Sequence, residues 1–169
     1  GALPTMSWLD GCSAGEEAIE ELLEVARSTG VVVFNIIPDR NYTPGTKDQK
    51  LTNLQKVVEI CKDLNMPLLG GTEMNSPGQK FVDDFDSDEL KPMHPYFLEG
   101  SRILHAHSTL QRLAGMGYLS PWSDDQFASV AAKNEFYARF GEIFSPRGDE
   151  ALQNDLSDSL GSREVISLA

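Results

Sequence analysis

Apolar residues recur along the first seventy positions in two alternating rhythms. Ala18, Ile19, Leu22, Leu23 and Ala26 stand three and four residues apart, with Glu17, Glu20, Glu21 and Glu24 between them, which predicts an amphipathic helix. Ser13-Ala14-Gly15-Glu16 before it has the form of a capping box, and Gly30 after it is a stop. The run Val31–Ile37 is then apolar at nearly every position, as a strand covered on both faces requires, and Pro38 ends it. Thr46-Lys47-Asp48-Gln49 is a second capping-box pattern, and Leu51, Leu54, Val57, Val58, Cys61 and Leu64 form a second helical stripe. A short strand over Met66–Thr72 comes next. Helix, strand, helix, strand at these lengths predicts an α/β fold, with a parallel sheet and flanking helices.

From Glu73 to Pro95 the chain is rich in Asp, Pro and Gly and reads as a long functional loop, with His94 in it. Arg102–Ala106 reads as a third strand, and Thr109–Leu113 as a short helix. Ser123-Asp124-Asp125-Gln126 is expected to cap a last helix to about Phe140, with Phe127, Val130, Ala131, Tyr137 and Phe140 inward. Residues 1–144 are thus expected to form one α/β domain closed by a C-terminal helical cap. Beyond Ser145 the aromatic residues stop, and 145–169 reads as a loosely held polar tail. Its Arg147-Gly148-Asp149 spells an adhesion tripeptide without the structural context that would give it meaning.

Charge narrows the partners. With 26 acidic against 14 basic side chains among 169 residues, the formal charge is −12, which repels nucleic acid and anionic membrane surfaces. Cys12 and Cys61 offer no CxxC pair, and no apolar run approaches the roughly 20 residues a bilayer span needs. A cytoplasmic protein is the expectation. The chain opens on Gly1 rather than Met, which predicts a fragment of a longer protein.

Three places attract chemistry, because parallel sheets bind ligands where their strands end. After the first strand come Asp39, Arg40 and Asn41: a metal-binding or catalytic acid, a cation for an anionic group and a hydrogen-bonding amide. The same residues also suit an ordinary turn, with Asp39 and Arg40 paired locally. After the second strand, Gly70 and Gly71 leave room for close approach, and Glu73 sits where a metal ligand or general base would, with Asn75 beside it. Of the adjacent Asp83 and Asp84, at most one can face a site. Third, His105 and His107 would share one face of a strand, where two imidazoles can bind one divalent ion such as Zn or Mn. The alternative is one histidine packed in the core and the other hydrogen-bonded nearby. Phosphate-binding Gly-rich loops and HExxH are absent.

Taken in order, Ile36-Ile37-Pro38-Asp39-Arg40-Asn41, Gly71-Thr72-Glu73-Met74-Asn75, Gly78–Phe85 and His105-Ala106-His107 resemble the downstream part of a metal-dependent barrel hydrolase, over roughly residues 30–110. The family is the polymerase-and-histidinol-phosphatase (PHP) superfamily. The resemblance implies a distorted (β/α) barrel that binds divalent ions and hydrolyses phosphoesters. It implies Glu73 and His107 as metal ligands; His105 stands where the family usually has an acid and joins them as a candidate ligand on the strand reading, with Asp39, Arg40 and Glu73 as candidate catalytic groups and Arg40, Asn41 and Asn75 facing a small anionic substrate. Upstream strands would supply the remaining ligands. A competing expectation is a non-catalytic interaction domain that forms a homo-oligomer through its sheet edges.

Overall fold

The computed structural model describes residues 1–42, 45–75, 77, 78, 81–144, 152 and 154–169. The chain divides into two compact units: a sheet unit, Pro4–Leu98, and a helical unit, Gly1–Leu3 with Glu99–Ala169.

The sheet unit is built as β1 (Thr5–Trp8), α1 (Ala14–Glu17), α2 (Ile19–Ser28), β2 (Val33–Ile36), a 3₁₀ turn (Pro38–Tyr42), α3 (Lys47–Asp63) and β3 (Leu68–Gly70). The strands form one parallel sheet in the order β1-β2-β3, with Thr5 opposite Val33, and Phe34 opposite Leu68. The α/β reading with flanking helices therefore holds for this unit. β2 is the central strand, and Val33, Phe34 and Ile36 are buried, with Asn35 half-buried between them. Ile19 and Leu23 of α2, and Leu54, Val57, Val58 and Cys61 of α3, join Phe34, Ile36 and Leu68 in one core.

β1 escaped the sequence pattern. Its four residues are too short to establish a period, and two of them, Thr5 and Ser7, are exposed. The first capping box is half made: Ser13 Oγ accepts from Glu16 N, while Glu16 Oε1 accepts from Leu9 N. Thr46 stands at the N-cap of α3 without a side-chain capping bond, so the second box does not form. The glycines at the end of β3 serve packing. A Cβ on Gly70 would lie 2.7 Å from the Phe85 ring, and one on Gly71 would lie 2.6 Å from Asn35 Oδ1.

The third strand expected at Arg102–Ala106 is helix. It lies inside α4 (His94–Ala114), where residues 97, 100, 103, 106, 107 and 110 are buried at three- and four-residue spacing. Five residues taken alone cannot separate a strand from a stretch of buried helix. The expected short helix at Thr109–Leu113 is the end of α4, and His94 begins α4 rather than lying in a loop.

In the helical unit, α4 runs into α5 (Pro121–Gln126), α6 (Val130–Ile143) and α7 (Ser162–Leu168). The expected single last helix is two, because Ser120 and Ser129 each accept a capping bond and Phe127 between them is extended. Phe136, Tyr137 and Phe140 are buried, but Val130 and Ala131 are exposed. The reading of 145–169 as a loosely held tail also needs correction among the described residues. Leu152, Leu156 and Val165 are buried, and Trp122 Nε1 donates to Leu160 O at 2.9 Å. The Arg147-Gly148-Asp149 tripeptide lies outside the described residues.

Gly141 of α6 faces the backbone of α4: a Cβ there would meet Arg102 O at 2.1 Å. Gly141→Ala is expected to destabilise the protein by about 1–3 kcal/mol through overpacking. Gly15→Ala, in α1 with nothing within 4 Å, should be neutral or slightly stabilising. Urea unfolding of the two variants checks the contrast.

Candidate functional site

The three strands are parallel, so their carboxyl ends share one rim of the sheet, and each leads to an acid. β1 leads to Asp10, β2 to Asp39 in the 3₁₀ turn, and β3 to Glu73. Two cations are set among them. Arg40 reaches across to Glu73: its Nε donates to Oε2 at 2.5 Å, and Nη2 meets the same oxygen. Asn75 Nδ2 donates to the other oxygen, Oε1, at 2.9 Å. The pair is half-exposed, with side-chain accessibilities of 40% for Arg40 and 26% for Glu73. Arg40 thus bonds across strands rather than locally to Asp39.

Lys50 is the second cation. It sits on the buried side of α3, where its Nζ contacts Asp10 Oδ2 at 2.8 Å and donates to Arg40 O at 3.1 Å. One ammonium therefore fastens the ends of β1 and β2. Burial acts to raise the Asp10 pKa, but the Lys50 bond and the Cys12 N–H outweigh it and hold the carboxyl below its ordinary value. Asn41 is fully buried and commits its amide to the backbone, with Nδ2 donating to Leu9 O at 3.1 Å and to Ile37 O at 3.2 Å. It braces the turn rather than facing a substrate. Asn41 Oδ1 and Asp39 Oδ1 are buried without a hydrogen-bond partner.

Beside the rim lies a cleft of about 440 Å³, lined by Asp39, Tyr42, Lys47, Asp83, Asp84, Ser87 and Glu89. Tyr42 Oη and Ser87 Oγ share a hydrogen bond of 2.9 Å, and Lys47 pairs with Glu89. Burial and the nearby Glu89, Asp83 and Asp84 push the Tyr42 phenol up. Asp83 and Asp84 differ in burial. Asp83 is buried, with Oδ2 accepting from Thr72 Oγ1 at 3.2 Å, while Asp84 is exposed. Gln79 and Lys80 of the same motif lie outside the described residues.

The two histidines belong to α4, where side chains two apart point about 200° from each other rather than to one face. His107, 4% exposed, has both ring nitrogens occupied: Nε2 bonds Gly1 O at 2.7 Å and Nδ1 accepts from Tyr118 N at 2.9 Å. The second contact makes Nδ1 the acceptor and Nε2 the protonated nitrogen. His105 stacks on Phe144, ring centroids 6.0 Å apart. Compared with known proteins, the chain matches no family model, no curated protein and no solved structure.

Two of the expected metal ligands, Glu73 and His107, are each engaged within their own unit. Glu73 has both oxygens engaged and His107 both nitrogens, and no group of three or more His, Cys, Asp or Glu among the described residues is placed to hold an ion. Asp10, Lys50 and the Tyr42–Ser87 pair are the rim and cleft groups that the sequence reading missed. Lys50 did leave a signal: it lies four residues before Leu54, on the buried stripe of α3, where a lysine needs a partner.

Burial lowers the His107 pKa below its ordinary 6.5, against the Gly1 carbonyl, which acts to raise it. The folded state thus binds this proton less readily than the unfolded chain. Stability from this group is complete above pH 6.5 and is lost as the pH falls towards the lowered folded value. Urea midpoints taken from pH 7.5 downward should show this loss below pH 6.5, and His107→Gln should flatten that part of the profile.

Proposed function

We propose that the chain is the downstream part of a hydrolase of the PHP kind, with the carboxyl rim of its sheet as the edge that faces a phosphoester. The observation that carries the reading is the Arg40–Glu73 pair, which brings two motif residues from adjacent strands together where α/β sheets bind ligands. Arg40 supplies the planar fork suited to a phosphoryl group, and Glu73 and Asp39 supply acids beside it. The full barrel of the family would add strands at the outer edges of β1 and β3, which carry no strand partner among the described residues. A divalent ion in such an enzyme lowers the pKa of a bound water and generates the nucleophile. The described residues supply too few free ligands for that ion, so this chain's own part is to bind and orient the anion. Metal analysis and a phosphomonoesterase assay of the longest natural form test the reading. Metal-dependent turnover is expected, with Arg40→Ala lowering kcat/KM at least about 100-fold. A metal-free, inert protein removes the proposal.

A second reading rests on the same edges: a non-catalytic interaction domain whose β1 or β3 pairs with another copy. Sedimentation velocity over a hundredfold concentration range should then show a dimer that forms with concentration. A strict monomer at every concentration rejects it.

A further inference from the structure

We infer that Glu73 acts as an internal competitor for the anion site at Arg40, so that an oxyanion binds by displacing the Glu73 carboxylate from the guanidinium. The inference rests on the reading of Arg40 as the group that meets the substrate anion.

The Nε/Nη2 edge of a guanidinium is one of its two faces for bidentate recognition of a carboxylate or phosphate. In Arg40 that edge is turned entirely onto one oxygen of Glu73. Glu73 is in turn held from behind, because Asn75 binds its second oxygen. The carboxylate is therefore oriented towards Arg40 rather than merely near it.

Among the described residues the other cation at the strand ends is Lys50, and it is committed to Asp10 Oδ2 and the Arg40 carbonyl. Among the described residues the rim carries Asp10, Asp39 and Glu73 against Arg40 and Lys50, so an incoming anion meets net negative charge as well as an occupied fork. Both penalties fall together if Glu73 loses its charge. The exposure of the pair keeps the exchange reversible, because half-exposed ion pairs are individually weak.

The test is titration of the full chain with inorganic phosphate at low ionic strength, monitored through the ¹H–¹⁵N resonance of the Arg40 Nε and by calorimetry. Wild type should bind weakly, and Glu73→Gln about three- to tenfold more tightly, with Glu73→Ala behaving the same way. Asp63→Asn removes the same charge from the exposed end of α3 and should bind as wild type does. Adding Arg40→Ala to Glu73→Gln should abolish the gain. The inference is overturned if Glu73→Gln gains nothing, if Asp63→Asn gains as much, or if the double variant keeps the gain. If wild type binds phosphate through Arg40 and Glu73→Gln is no tighter, only this inference falls. If no variant binds phosphate at all, the anion-binding reading of the rim falls with it.

Discussion

Covering the Phe34 and Ile36 face of β2 is the requirement that shapes the sheet unit. A central strand with Phe34 and Ile36 buried on one face needs helices against that face and strands on both sides, and α2, α3, β1 and β3 meet that need. Full burial of each large apolar side chain contributes roughly 1.5–3 kcal/mol, so the arrangement is anchored by hydrophobic free energy rather than by the polar rim. The rim is a by-product of direction. Three strands running the same way must finish on the same side, and the residues just past their ends meet there.

Those residues are largely charged, and pairing makes their place beside the core tolerable. Lys50 shows the logic most clearly: a lysine on the buried stripe of α3 is accommodated because Asp10 and a backbone carbonyl receive it. Removing one partner of a mostly buried pair costs about 3–5 kcal/mol, whereas a half-exposed pair such as Arg40–Glu73 contributes about 0.2–1 kcal/mol. The two cations therefore have different weights. Lys50 holds the framework, and the Arg40 pair is the weaker of the two.

Strongly periodic segments were legible from sequence and short ones were not. The stripes of α2 and α3 and the apolar run of β2 identified themselves, because each repeats its pattern over enough residues. β1, with four residues, did not, and Asp10 was lost with it. Arg102–Ala106 was misread because a window of five hides the three- and four-residue spacing that the whole of α4 displays. That error carried the histidine pair with it, since sharing a face depended on strand geometry. Asp39, Arg40 and Glu73 were found at strand ends by a rule about topology, which is insensitive to boundary errors of a residue or two. The role of Asn41 was not legible, because a buried amide serving the backbone and an exposed one serving a ligand look alike in sequence.

The two cysteines differ in a way that is useful at the bench. Cys61 is enclosed in the core of the sheet unit, where burial pushes its thiol up to about 12, while Cys12 is exposed just past β1. A maleimide or a fluorinated alkylating agent applied to the native protein would thus mark a single position, two residues beyond Asp10. A spectroscopic reporter can be placed beside the strand ends without engineering the sequence.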